Sequence, residues 1–328
     1  MARLVIDAMS GDNGSNIVIN AIKDFKRDYP NTELVVCGKK EELESIKDLA
    51  TIVDARDVVP MEAGALQVLR MKNSSMMVAI NYMKENNYDA VVSSGSTGGY
   101  LTAATVSLRM IPGIKRAALC TCFPTKDKNK KLTLLDCGAN NENSAEELAQ
   151  FALMGRLYAQ AVYGTEDPKT YLLSNGSEDE KGTAEIKEAH KILRESNFPG
   201  FMGNLEANDA LEGNCDVLVA NGFAGNVFLK TTEAVAKWMG SMFKGVFTKN
   251  MWTKIGYLHV KGGLEEMKQI MDYKSVGGAI LLGVNGIAFK AHGNADAYNF
   301  YHALRVANLL AEMNIVEKIK KGVTNEGN

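Results

Sequence analysis

The stretch YDAVVSSGSTGGYLTAATVSLRM, residues 88–110, decides the fold class. Asp89 to Ser93 is short and apolar, as a buried strand must be; Gly95, Gly98 and Gly99 supply a turn, and Tyr100 to Met110 carries a helical pattern. Ser94, Gly95, Ser96, Thr97 and Gly98 then lie between a strand's carboxyl end and a helix's amino end, where unpaired amides and the helix dipole favour an anion. The loop is phosphate-sized, with the Ser96 and Thr97 hydroxyls at its rim. A Gly-rich turn in which Ser or Thr merely caps the helix is the alternative reading.

The pattern recurs along the chain. Lys131 to Cys137 is strand-like and ends in Asp136, Cys137, Gly138, Ala139 and Asn140, after which Ser144 and Glu147 form a capping box opening a helix. Asp216 to Ala220 is a third apolar strand, followed by Asn221 to Asn226 and a helical run from Val227. The chain opens βαβαβ, with strands at Arg3 to Ala8, Glu33 to Gly38 and Thr51 to Ala55. Met61 to Asn86 reads as mostly helix, with Ser74, Ser75, Met76 and Met77 starting its second part. Leu119 to Phe123 and Lys131 to Cys137 flank a charged tip as a hairpin, and Phe201 to Asn204 reads as an edge strand. The expected fold is α/β, a three-layer α/β/α sandwich with a mixed, mostly parallel sheet. In an open sheet of this kind the three Gly-bearing loops are expected to line one crevice at the strands' carboxyl ends.

With 46% apolar residues among 328, a large core is available, and the even spread of glycines predicts one continuous domain over 1–328. A net charge of −2 with no basic tract argues against nucleic acid. Cys37, Cys120, Cys122, Cys137 and Cys215 are odd in number, lie mostly in apolar runs, and form no CxxC pair, so reduced buried thiols and no metal are expected. The amino terminus enters a strand at once and no apolar run approaches a membrane span, which predicts a cytoplasmic protein. The closing strands from Gly277 and Ile287 are expected to lead to a final helix from about Ala297 to Leu310.

Residues 231–275 form an amphipathic helical excursion. Phe243, Phe247, Met251 and Ile255 fall four apart with Lys244, Lys249 and Lys254 between them, and breaks are expected near Gly256 and Gly262. Such a stripe serves as core or as a dimer interface. Alternatively it dips into lipid, with Trp252, Ile255, Tyr257 and Leu258 inserted and lysines meeting anionic head groups.

Seven segments occur in order along the chain: IDAMSGD from Ile6, VVSSGSTGG from Val91, RMIPGIKRAAL from Arg109, LLDCGANNENSAEELAQFALMG from Leu134, GNLEANDALEG from Gly203, NGFAGNVFLKT from Asn221 and GGAILLGVNGIAFKAHGNADA from Gly277. Together they resemble one known family, the bacterial phosphate acyltransferases of phospholipid synthesis. The resemblance implies an enzyme that converts acyl carrier protein's acyl chain and inorganic phosphate into acyl phosphate. It further implies a homodimer, a fold similar to isocitrate and isopropylmalate dehydrogenases and to phosphotransacetylases, and peripheral attachment to the inner face of the plasma membrane. There a membrane glycerol-3-phosphate acyltransferase uses the acyl phosphate. No cofactor is implied. Relative to the family pattern, Ser10, Ser96, Asn208, Asn221, Ile280 and Asn294 replace Gly, Asn, Arg, Asp, Pro and Ser, and the loop before the helix at Thr183 reads SNGSEDEKG. Loss of a cation at Asn208 together with a carboxylate at Asn221 reads as a compensated exchange.

Phosphate is its own nucleophile and a pantetheine thiol, with a reference pKa of about 8.5, leaves readily, so no catalytic triad is needed. The sequence shows no GxSxG elbow either. What is needed is a phosphate seat, oxyanion donors and alignment of the thioester. Ser94 to Gly98 are the expected seat, with Asn226 from the third loop beside it. Asn140 and the Gly138 backbone are oxyanion candidates. His292 is the histidine best placed for a proton or phosphate role, supported by its place in the family motif. Asp7 and Asp12 flank the first loop, to orient a cation or close the turn, and Lys181, Lys230 and Lys290 are further phosphate or carrier contacts. A coenzyme A-dependent phosphotransacetylase and a non-catalytic scaffold that gathers carrier protein remain the rival readings.

Overall fold

Strands such as Leu4-Val5-Ile6 are apolar at every position, which a sheet uses only when helices cover both of its faces. A computed structural model describes residues 1–270 and 276–326 and shows this arrangement. Its strands are β1 (Arg3–Asp7), β2 (Glu33–Gly38), β3 (Thr51–Asp54), β4 (Ala90–Ser93), β5 (Ala118–Pro124), β6 (Lys131–Leu135), β7 (Thr170–Leu173), β8 (Phe201–Leu205), β9 (Val217–Val219), β10 (Gly278–Leu282) and β11 (Ile287–Ala291). They form one 11-stranded sheet in the order β3-β2-β1-β4-β11-β10-β5-β6-β9-β7-β8.

The helices are α1 (Gly14–Asp28), α2 (Lys40–Leu43), α3 (Ala65–Arg70), α4 (Ser75–Glu85), α5 (Thr97–Leu108), α6 (Ala145–Tyr163), α7 (Ala184–Glu195), α8 (Gly222–Thr248), α9 (Met251–Ile270), α10 (Ala297–Glu312) and α11 (Ile315–Glu326). Leu4 and Ile6 belong to one core, shared with α1, α6, α7, α10 and α11. Val5 points into a second core, shared with α3, α4 and α5. The three layers follow from that alternation.

Every pairing is parallel except β11–β10, β10–β5 and β5–β6. Because three antiparallel steps separate them, β4 and β11 run opposite to β6 and β9. The first and second glycine loops therefore leave the sheet in opposite directions, and only the face of β5 and β10 between them gives a common floor.

Local sequence explains most boundaries. The Ser144–Glu147 capping box opens α6, and Ser74, Ser96 and Asn221 side chains cap α4, α5 and α8. The two-part helical run expected over Met61 to Asn86 is α3 and α4, the second part opening at Ser75. The excursion breaks elsewhere than expected: α8 stops at Thr248, and both helices run through their glycines. The stop is a reciprocal pair, in which the Asn250 amide nitrogen donates to Thr253 Oγ1 and the Thr253 nitrogen to Asn250 Oδ1, both at 3.0 Å. Residues 271–275 of the expected excursion lie outside the described residues. A helix beyond the expected final one, α11, follows Asn314, whose positive φ turns the chain. All five cysteines are free and buried. Among the described residues, no helix is long and apolar enough to cross a membrane.

At the root of α8, glycine is a steric requirement. A Cβ on Gly225 would lie 1.9 Å from the Asp136 carbonyl oxygen, and one on Gly222 would lie 1.8 Å from that of Asn140. Nothing lies within 4 Å of a Cβ on Gly240, further along the same helix. Gly225→Ala is expected to cost about 1–3 kcal/mol through forced backbone displacement, whereas Gly240→Ala is expected to add about 0.5–1 kcal/mol. Denaturant midpoints of the two variants check the contrast.

Candidate functional site

Two buried carboxylates fold the loops that border the site. Asp136 Oδ1 accepts from the Leu119, Gly138 and Ala139 amides at 2.9, 3.0 and 2.9 Å, and Oδ2 from the Asn140 amide at 2.9 Å and Asn140 Nδ2 at 2.8 Å. Burial pushes this carboxyl above the usual range and the N–H donors oppose that shift. Asp7, at the end of β1, anchors the first turn by hydrogen bonds. Its Oδ1 accepts from the Met9 and Ser10 amides, both at 3.3 Å, and Oδ2 from Ser93 Oγ at 2.6 Å.

Over the face of β5 and β10 lies a cavity of about 390 Å³. Thr97 and Gly98 border it from the first loop, Gly138 from the second, Asn226 from the third, and Lys290 and His292 from the end of β11. All three glycine loops thus meet at one cavity, joined by a fourth. As the first residues of α5, Thr97 and Gly98 present amides with no intrahelical acceptor. Lys290 and Lys230 add cationic charge. Burial, helped by Lys230 and opposed by Asp12 and Asp7, lowers Lys290 to about 8. Burial likewise lowers His292; Glu233 opposes the shift, while Lys290, Lys230 and Lys237 reinforce it. The chemistry available here is the holding of an anion between ammonium groups and helix amides.

Several expected site residues sit behind this surface. Ser94 Oγ donates to the Ser10 carbonyl at 2.6 Å, Gly95 donates its amide to Ser93 Oγ at 3.1 Å, and Ser96 Oγ accepts the Gly99 amide at 3.3 Å. All three residues are buried. The seat expected over Ser94 to Gly98 therefore reduces to Thr97 and Gly98. Asn140 is a correction. Its Nδ2 donates to the Ala117 carbonyl at 2.9 Å as well as to Asp136, so neither amide hydrogen remains for an oxyanion. The Gly138 amide is spent on Asp136 in the same way. By contrast the Asn226 side chain lines the cavity, 3.4 Å from where a Cβ on Gly138 would stand, and makes no hydrogen bond among the described residues. Asp7 closes its turn, and Asp12 is exposed with its amide on the Gly293 carbonyl at 2.9 Å. Lys181 is exposed.

Glu233 was not singled out by sequence. It is one of the three buried residues of α8, borders the cavity, and pairs with Lys230 at 3.0 Å. The signal was present in the i,i+3 Lys-Glu spacing, yet such pairs are ordinary on exposed helices.

Across α8 lies a second cavity of about 840 Å³, walled by Leu173, Ile186, Phe223, Val227 and Phe228. Phe228 meets Phe123, which lines the first cavity, edge to face with ring centroids 5.5 Å apart. This aromatic pair stands between the two spaces. Asn208 and Asn221 both line the larger one, so the two exchanged positions share one wall.

Residues 2–318 match the family model described as "Fatty acid synthesis protein". The chain is 37% identical over 329 residues to a phosphate acyltransferase of Clostridium novyi (strain NT), covering 98% of each. Among solved structures it superposes on a branched-chain phosphotransacylase of Enterococcus faecalis V583 with a TM-score of 0.63 at 12% identity, over 95% of this chain and 99% of that one. A Streptococcus pyogenes phosphotransacetylase gives 0.62 at 18% identity, over 95% and 94%. The fold expectation holds.

Replacing Asp136 by Asn substitutes a donor for one acceptor oxygen among five N–H groups. Asp136→Asn is expected to lose about 2–3 kcal/mol in stability, read as a lower denaturant midpoint.

Proposed function

The chain belongs to the family of phosphate acyltransferases, and from that premise we propose that it moves a fatty acyl group from acyl carrier protein to inorganic phosphate, making acyl phosphate for phospholipid synthesis. The carrying observation is the cavity bordered by Lys290, Lys230 and the first residues of α5, a seat suited to a divalent oxyanion. Phosphate sits there, and the thioester carbonyl approaches Asn226, whose amide takes the oxyanion role expected of Asn140. A donor of this kind is worth roughly 3–4 kcal/mol in comparable acyl-transfer sites. The apolar cavity beyond the Phe123–Phe228 pair receives the acyl chain.

The direct test supplies long-chain acyl carrier protein and labelled phosphate and looks for acyl phosphate. Turnover with acyl-coenzyme A alone would instead favour a phosphotransacetylase, and carrier binding without product a scaffold. Asn226→Ala is expected to lower kcat by about 10²–10³-fold with a smaller change in KM.

The seat carries a pH signature. Lys290 is cationic below about 8 and neutral above it, so kcat/KM for phosphate is expected to fall about tenfold per unit as pH rises beyond that value. Lys290→Met is expected to lower kcat/KM throughout and to remove this limb.

The α8–α9 hairpin is the proposed meeting point with a second protomer and with anionic lipid. Trp238 is 64% exposed on α8, and Trp252 and Leu258 are 82% and 69% exposed on α9, with Lys249 and Lys254 alongside. Wild-type protein is expected to sediment with anionic vesicles and Trp252→Glu with Leu258→Glu to stay in the supernatant.

A further inference from the structure

Lysines and helix amides attract any small divalent oxyanion, yet the cavity also contains a carboxylate. Glu233 is 8% exposed, and its Oε2 lies 3.0 Å from Lys230 Nζ. Its other oxygen, Oε1, is buried and meets no hydrogen-bond donor among the described residues. An acceptor left unmade in a buried site is costly, and a group repelling the expected ligand's charge is more so. Both costs are removed by a ligand that brings a proton of its own.

We propose that Glu233 Oε1 accepts the P–OH hydrogen of bound hydrogen phosphate, so that the site selects this anion over sulfate. The inference rests on the phosphate seat described above. Hydrogen phosphate and sulfate share their charge and nearly their size, but at neutral pH only the former carries a hydrogen to donate. Sulfate would leave Oε1 facing a bare oxyanion oxygen, and the two would repel.

The same hydrogen bond completes the proton balance of the transfer. A phosphate oxygen lone pair forms the O–C bond to the thioester carbonyl carbon, and the C–S bond then breaks with its electron pair going to sulfur. The P–OH proton passes to Glu233 and ends on the departing thiolate. Hydrogen phosphate dianion and acyl thioester thus become acyl phosphate dianion and free thiol, with no other reactant. Lys230 and Lys290 exchange no proton in this balance.

Isothermal titration of the whole chain with inorganic phosphate and, separately, with sulfate tests the assignment without an acyl donor. Wild type is expected to bind phosphate at least about tenfold more tightly than sulfate, and Glu233→Gln, whose amide can also donate, to bring the two within about twofold. Lys290→Met is expected to weaken both anions alike. An unchanged phosphate-to-sulfate ratio in Glu233→Gln, with phosphate binding still lost in Lys290→Met, overturns the role of Glu233 and leaves the seat standing. Phosphate binding that survives Lys290→Met puts the seat elsewhere, and the proposal falls with it.

Discussion

A carboxylate buried at the end of a strand is tolerated only when its lone pairs find donors, and Asp136 meets that demand by gathering amides from β5 and from its own loop. The backbone of residues 136–140 is shaped around this one anion. The root of α8 then packs against that shape with two glycines, and the Gly222 amide is tied to Asn143 Oδ1 at 3.1 Å. The positions of Asn226, Lys230 and Glu233 thus descend from Asp136 through contacts that admit no side chain between them.

The antiparallel centre of the sheet has a comparable role on a larger scale. In a wholly parallel sheet every loop of this type leaves the same edge. Here the reversal across β10 and β5 lets strand ends from two oppositely directed halves face each other over a shared floor. One half supplies the amino end of α5 and Lys290, and the other supplies Asn226 and Glu233 on α8. Neither half holds the whole site.

Much of this was legible in the letters of the chain. Glycine turns after apolar runs marked the loops, and the Ser144–Glu147 box and the lysines at 230 and 290 were visible by type and spacing. What could not be read was which polar atoms were already engaged. Asn140 looks like a donor in sequence, and only its distances to Asp136 and Ala117 show both hydrogens committed. Ser94 and Ser96 were misplaced for the same reason, since a hydroxyl turned inward to close a loop has the same letter as one turned outward to hold an anion. The helix break went to Asn250 rather than to Gly256 because a glycine within a helix weakens it by only about 1 kcal/mol, whereas a reciprocal cap ends one helix and starts the next.

The close contact at the foot of α8 makes that helix a cantilever. Glu233 lies eight residues from Gly225 and Thr248 lies 23, so by helical rise the two stand about 12 and 35 Å from the clamped end. Any swing of the free tip reaches the carboxylate reduced to about a third. The far hairpin can therefore sway against whatever it touches while the groups around the anion hold station.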